Sequence, residues 1–221
     1  MPTSHLYQIN EIVELILTTK PSSMLDVGVG FGKYGFLARE YLELWDGREK
    51  YDDWTHRIDG IEVFKEYLTP VHEYIYSNLF IGNAQDILPT MRDKQYDLIL
   101  LMDVVEHFDY DEAMSLIREA QRVGRNLLIS TPKDIGTQTD SFGNVHETHK
   151  FQFTLKQLRE LGPSYAVPNV HSLICLVGPD APRVQREIAA LRKAWLHKAH
   201  PITAYPERAI NKLKKLRSSG K

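Results

Sequence analysis

Apolar residues recur along this chain with two alternating periods. Leu6, Ile9, Ile12, Val13, Leu15, Ile16 and Leu17 return at helical spacing, so residues 6–19 predict an amphipathic helix that Lys20-Pro21 ends. A short apolar run predicts a strand over 23–27, and a helix follows over 33–44. The alternation continues with a strand over 57–62 and a helix over 65–76 that Pro70 must start or break. Strands are predicted over 79–84 and 96–102; the second, Tyr96 to Met102, is almost continuously apolar, as a strand covered on both faces requires. Ala113, Leu116, Ile117 and Ala120 mark one face of a helix over 110–123, and a strand follows over 126–130. Thr154 and Gln157 form a capping box for a helix over 155–161 that Gly162-Pro163 stops. Two last strands, 165–167 and 172–177, are joined through Pro168-Asn169.

Alternating strands and helices that close on an antiparallel hairpin predict an α/β fold with a doubly wound, mostly parallel sheet. At 221 residues the chain suits one such domain over 1–180 and a helical appendage over 181–221. No apolar run approaches the ~18 residues needed to cross a bilayer, and the N-terminus lacks a secretory pattern, so the expected location is cytoplasmic. Cys175 lies in an apolar run and reads as a small core residue. The segment 45–56, polar yet carrying Trp45, Tyr51 and Trp54, is too long for a minimal connection; it reads as a wall of a pocket or as a packed surface loop.

Chemistry concentrates where the first strand ends. Met24 to Val27 runs into Gly28, Gly30 and Gly32 at alternate positions, and a helix follows at once. A glycine-rich turn between a strand and a helix lets backbone approach a nucleotide-like ligand closely. Asp26 places a negative charge beside that turn, which repels a pyrophosphate and attracts a cationic ligand. Gly30-x-Gly32-x-x-Gly35 also satisfies the dinucleotide pattern G-x-G-x-x-G, so a NAD(P)-dependent oxidoreductase is an alternative. Glu62 ends the second strand, where a carboxylate can accept from both hydroxyls of a ribose in either case.

The pattern D-x-G-x-G-x-G at 26–32, with Asn83-Ala84-Gln85-Asp86-Ile87 and Asp103-Val104-Val105-Glu106-His107 in the same order along the chain, resembles the class I S-adenosylmethionine-dependent methyltransferases. The resemblance covers about residues 6–178. It implies a Rossmann-like, seven-stranded sheet in the order 3-2-1-4-5-7-6 with an antiparallel last strand, and S-adenosylmethionine as cofactor. It further implies that Asp26, Gly28, Gly30 and Gly32 form the cofactor loop and that Glu62 holds the ribose. Asp86 would accept from the adenine amino group, with Ile87 over the ring, although Asp86 also suits an N-cap for a short helix over 87–91. Asp103 would contact the methionine amino group.

Methyl transfer from a sulfonium is an in-line displacement, for which an oxygen acceptor benefits from a general base. His107, His146 and His149 are the candidates, and His149 followed by Phe153-Thr154 matches the family's pattern after the fifth strand. Glu106 and His107 also suit a structural role in their loop. His146-Glu147-x-His149 contains good metal ligands, but no second cluster supplies the rest in sequence, so no metal is expected. Residues 134–143 read as a lid. The expected function is methylation of a small-molecule or sugar-like acceptor; a protein that binds the cofactor without turnover is the other alternative.

Charge separates the two parts of the chain. Residues 183–221 carry 11 Lys and Arg against 2 Asp and Glu, while residues 1–182 carry 16 against 27. Apolar stripes at Val184, Ile188, Leu191 and Trp195, and at Ala209, Ile210, Leu213 and Leu216, predict two basic helices. Such a tail suits packing on an acidic core, a second copy of the chain, or an anionic surface such as a membrane; nucleic acid is the weaker partner. Deleting residues 206–221 is expected to leave cofactor affinity nearly unchanged and to alter oligomeric state or binding to anionic liposomes. Light scattering and liposome sedimentation test this, and lost cofactor binding would place the tail in the catalytic domain.

Overall fold

The computed structural model describes residues 4–44, 50 and 53–199. The chain divides into two units, Met1–Val184 and Gln185–Lys221. Residues 206–217 and most of the 45–56 segment, with the readings made for them, lie outside the described residues.

The first unit is built on a seven-stranded sheet in the order β3-β2-β1-β4-β5-β7-β6. Its elements are α1 (Ile9–Thr19), β1 (Ser23–Val27), α2 (Lys33–Glu43), β2 (Arg57–Glu62), α3 (Pro70–Ile75), β3 (Asn78–Ile81), α4 (Ala84–Ile87), β4 (Tyr96–Met102), α5 (Tyr110–Val123), β5 (Gly124–Pro132), α6 (Leu155–Arg159), β6 (Ser164–Val167) and β7 (Ser172–Val177). β1 pairs in parallel with both β2 and β4, and β4 with β5. β7 runs antiparallel to β5 and to β6. This is the doubly wound arrangement that the alternation predicts, with the strand order that the resemblance implies.

The helix-breaking residues act where the sequence places them. Lys20 adopts the left-handed conformation (φ 56°) and closes α1 through its N–H to the Ile16 carbonyl. Pro70 starts α3 at its first position, so residues 65–67 form a separate 3-10 turn in place of one long helix. β3 is shorter than predicted, because Gly82 turns the chain and the Asn83 side chain caps α4, accepting from Gln85 N at 2.9 Å. β5 is longer at both ends, because Gly124 pairs with Tyr96 and Pro132 with Ser172. α6 ends at Arg159, two residues short of the prediction.

Beneath the site, the apolar face of α5 (Ala113, Leu116, Ile117, Ala120 and Val123) joins Leu25, Ile99, Leu101, Leu127 and Ile129 in one buried cluster. Each such large side chain withdrawn from water contributes about 1.5–3 kcal/mol, so this layer fixes the sheet beneath the cavity. α7 (Ala181–Ala199) carries the predicted stripe, with Val184 and Ile188 buried and Leu191 and Trp195 exposed. The boundary between the units falls inside this helix and four residues beyond the predicted division at 180.

A buried ion pair ties α2 to the start of β2. Arg39 pairs with Glu43 and donates to the carbonyls of Ile75 (2.7 Å) and His56 (2.6 Å) and to Ser77 Oγ (2.9 Å). Glu43, fully buried, accepts from the N–H groups of Thr55 (2.7 Å) and His56 (3.2 Å). Removing one partner leaves the other charge buried and unmatched, which costs about 3–5 kcal/mol. Arg39→Ala is therefore expected to lose about that much stability in urea denaturation, and a loss below 1 kcal/mol would show that the network is not holding this edge.

Candidate active site

The carboxyl ends of β1, β2 and β4 open into a cavity of about 860 Å³. β1 and β4 flank the point where the strand order reverses, so the loops after them diverge and leave a crevice. Gly28 (φ 73°), Gly30 (φ 52°) and Gly32 (φ 78°) all take left-handed conformations in the loop that forms one wall. A Cβ at Gly28 would meet Val104 Cγ2 at 2.8 Å, so the loop after β4 seats directly on this backbone.

Two side chains clamp the loop. Glu62 Oε2 accepts from Gly30 N at 2.9 Å, and its Oε1 accepts from Phe64 N at 2.9 Å. His72 Nδ1 accepts from Thr69 N at 3.0 Å, which puts the ring proton on Nε2, where it donates to the Gly30 carbonyl at 2.8 Å. Gly35, the last residue of the glycine pattern, does not face the cavity. A Cβ there would collide with the phenol ring of Tyr76, whose hydroxyl donates to Asp26 Oδ2 at 2.7 Å.

Acidic groups gather around this wall. Asp26 is 2 % exposed; burial, reinforced by the nearby charge of Glu62, raises its pKa from 3.8 to about 7 against the opposing Tyr76 hydrogen bond. Burial likewise raises Glu62, and the two backbone N–H groups only partly offset it. Asp103 holds a left-handed backbone (φ 55°) and accepts from Ser130 Oγ at 2.9 Å and Gln8 Nε2 at 2.7 Å. Lys33 donates to the Ser4 carbonyl at 2.8 Å and is depressed by burial, which the charge of Asp103 opposes.

The cavity continues past Asp103 to Glu106, His107, His146 and His149. Glu106 is fully buried, and neither of its oxygens has a hydrogen-bond partner; the equally unpartnered Thr131 hydroxyl stands near, short of bonding geometry. Burial, with the charge of Asp103, holds this carboxyl well above its usual range. His107 donates Nδ1–H to the Thr148 carbonyl at 3.3 Å, and burial depresses its pKa to about 4. His149 donates Nδ1–H to the Ile135 carbonyl, and His146 is exposed at the rim. The 134–143 segment is bonded to this wall: His149 N donates to the Gln138 carbonyl at 3.1 Å and Gln138 Nε2 to the Glu147 carbonyl at 2.8 Å.

The structure thus brings Asp26, Gly28, Gly30, Glu62, Asp103, His107, His146 and His149 onto one cavity, whereas Gly32, the N-cap of α2, does not line it and faces His72 and Ile75. Asp86 is exposed on the first turn of α4, and neither it nor Ile87 lines the cavity; Gly82, Asn83, Ala84 and Gln85 do. The helix cap is Asn83 and not Asp86. The structural role expected of Glu106 and His107 is seen in the His107 ring on the Thr148 carbonyl and in the Glu106 carbonyl, which accepts from Lys150 N and Phe151 N. One side-chain ligand atom each of Glu106, His107 and His149 lies within 4.8 Å of the others, a grouping that the sequence does not show. Tyr76 and His72 were not singled out in the sequence, although Thr69 three residues before His72 is a capping-box spacing that marks that histidine.

No protein-family model matches the chain, and no curated protein matches it. Solved structures do. A candidate O-methyltransferase from Nostoc punctiforme is 15 % identical with a TM-score of 0.52 over 77 % of this chain and 56 % of that one. An O-methyltransferase family protein from Burkholderia thailandensis is 14 % identical, with a TM-score of 0.50 over 76 % of this chain and 56 % of its own. The bifunctional kinase-methyltransferase WbdD is 14 % identical, with a TM-score of 0.55 over 80 % of this chain and 41 % of WbdD. The chain therefore spans little more than half the length of these proteins, or less. Together with the strand order, this likeness shows that the chain has the fold of the class I S-adenosylmethionine-dependent methyltransferases.

Proposed function

We propose that this protein is an S-adenosylmethionine-dependent methyltransferase acting on a small-molecule or sugar-like acceptor through an oxygen atom. The observation that carries the reading is the ring of carboxylates, Asp26, Glu62 and Asp103, around a left-handed glycine loop at the switch point of the sheet. That ring suits a ligand with a ribose, an ammonium and a sulfonium, and it opposes the pyrophosphate of a dinucleotide. Each Glu62 oxygen accepts one backbone N–H and keeps a lone pair for a ribose hydroxyl. Asn83 and Gln85 take the adenine edge in place of Asp86, because they line the cavity there. Asp103 receives the amino group.

When bound, the cofactor supplies an electrophilic methyl carbon on sulfur. The protein contributes position: the glycine loop and Val104 set the depth of the ligand, and the wall from Glu106 to His149 holds the acceptor opposite it. His146, exposed at the rim and without a ring hydrogen bond among the described residues, is placed to take a proton from an acceptor hydroxyl. Among the described residues no helix is long and apolar enough to cross a membrane.

Burial of Asp26 links stability to pH. Its folded pKa of about 7 exceeds its ordinary 3.8, so the folded state holds the proton longer. Stability from this group is full below about pH 4, falls as pH rises toward 7, and is constant above. Asp26→Asn, which keeps the Tyr76 contact, is expected to be more stable than wild type at pH 8, with the difference vanishing near pH 4. Urea titrations across that range read it, and a pH-independent difference would contradict the assignment.

Calorimetric titration with S-adenosylhomocysteine tests the reading directly. Glu62→Ala is expected to weaken binding by about 1–3 kcal/mol, since two hydroxyls lose a charged acceptor. Asp86→Ala is expected to change affinity less than twofold. No binding to the wild type, or a larger loss at Asp86 than at Glu62, overturns the proposed site.

A further inference from the structure

We propose that Glu106, His107 and His149 form a binding site for a divalent first-row transition cation at the acceptor end of the cavity. One ligand atom from each of the three lies within 4.8 Å of the others, and all three residues line the cavity. Two distant segments supply them: Glu106 and His107 from the turn after β4, His149 from the loop after β5.

Glu106 carries the argument. It is 0 % exposed, and neither carboxylate oxygen has a hydrogen bond of good geometry, although the Thr131 hydroxyl and the residue's own N–H stand near. Burying a carboxyl group unpaired is costly, and such groups are otherwise hydrogen-bonded, ion-paired or bound to metal. No Lys or Arg is bonded to it, whereas two imidazoles stand beside it. The histidines are oriented in the way metal-binding imidazoles are. Each sets Nδ1 against a backbone carbonyl, Thr148 for His107 and Ile135 for His149, the contact that orients a metal-binding imidazole, and His107 also lies by the Asp103 carbonyl. Their rings are 5.1 Å apart at 42°, tilted rather than stacked flat.

The site is also held together without any ion. The Glu106 carbonyl accepts from Lys150 N at 2.7 Å and Phe151 N at 3.2 Å, which fixes the 106–107 turn against the strand of chain carrying His149. Two nitrogens and one carboxylate favour zinc, manganese, iron or cobalt over magnesium and calcium, which prefer all-oxygen shells. Three protein ligands leave coordination positions open, the pattern of sites that bind a substrate rather than brace a fold. Those positions face the cavity, where they would take the oxygen atoms of the acceptor. Only this last step rests on the methyltransferase reading; the cation site itself does not.

The test uses the full chain, stripped with EDTA and titrated calorimetrically with Zn²⁺ and with Mn²⁺ in separate runs, without cofactor. The wild type is expected to bind one equivalent of at least one of the two in this site. Glu106→Gln and His149→Ala should each weaken that binding at least tenfold. Glu106→Gln keeps the side-chain shape and removes a buried acid, so folding is preserved; circular dichroism of both variants checks this. Absence of a one-equivalent site in the wild type, or less than a tenfold loss in either variant, overturns the proposal. S-adenosylhomocysteine titrated into the stripped protein separates the two readings. If it binds where no cation does, the metal site falls and the methyltransferase reading stands; a cation bound with no affinity for the nucleoside gives the reverse.

Discussion

The hydrogen bond from Gly30 N to Glu62 Oε2 is the constraint on which the cavity depends. The glycine loop leaves β1 with backbone conformations that few side chains tolerate, and beside its own Gly32 N–H bond to the Val29 carbonyl it is held from β2. Glu62, at the end of the adjacent parallel strand, reaches across to the Gly30 N–H, while His72 takes the carbonyl of the same residue. The register of β1 on β2 therefore sets the shape of the loop as well as the sheet, and the same carboxylate that shapes the wall keeps lone pairs for a ligand.

Such economy leaves buried charge that a purely structural design would avoid. Asp26 is braced by the Tyr76 phenol and the Gly35 N–H, Asp103 by Ser130 and Gln8 on a left-handed backbone, and the Glu106 carboxylate by no hydrogen bond of good geometry. Arg39 and Glu43 show what the fold does with buried charge when stability is the purpose: each is saturated with partners. The contrast between the saturated pair at one edge and the undersupplied acids at the crevice locates function more sharply than the cavity alone.

Sequence pattern carried most of the fold. Periodicity placed β1, β2, β4, α5 and β7, because each is long or apolar enough for packing to leave a signature, and Pro70 marked the break that separates a 3-10 turn from α3. The errors fall where local chemistry decides between near-equal readings. In Asn83-Ala84-Gln85-Asp86 both polar ends suit a helix start, and only the turn at Gly82 shows that Asn83 is the cap and Asp86 an exposed residue of the first turn. Gly35 looked like a ligand-facing glycine because the pattern G-x-G-x-x-G is blind to Tyr76, forty-one residues on, whose ring occupies the missing side chain's place.

The acceptor end was the least legible because it is assembled across the sheet. His146-Glu147-x-His149 looks like a ligand cluster along the chain, yet His146 turns to the rim and Glu147 accepts from Tyr67 instead. His149 meets Glu106 and His107 only because β4 and β5 are parallel neighbours, so the loops that follow them emerge side by side at the same edge. Sequence spacing cannot report that meeting; strand order can. Once β4 and β5 are known to be adjacent, the Glu106-His107 pair and the histidine after β5 must share one end of the crevice, and the unpartnered carboxylate between them becomes a question about what group completes it.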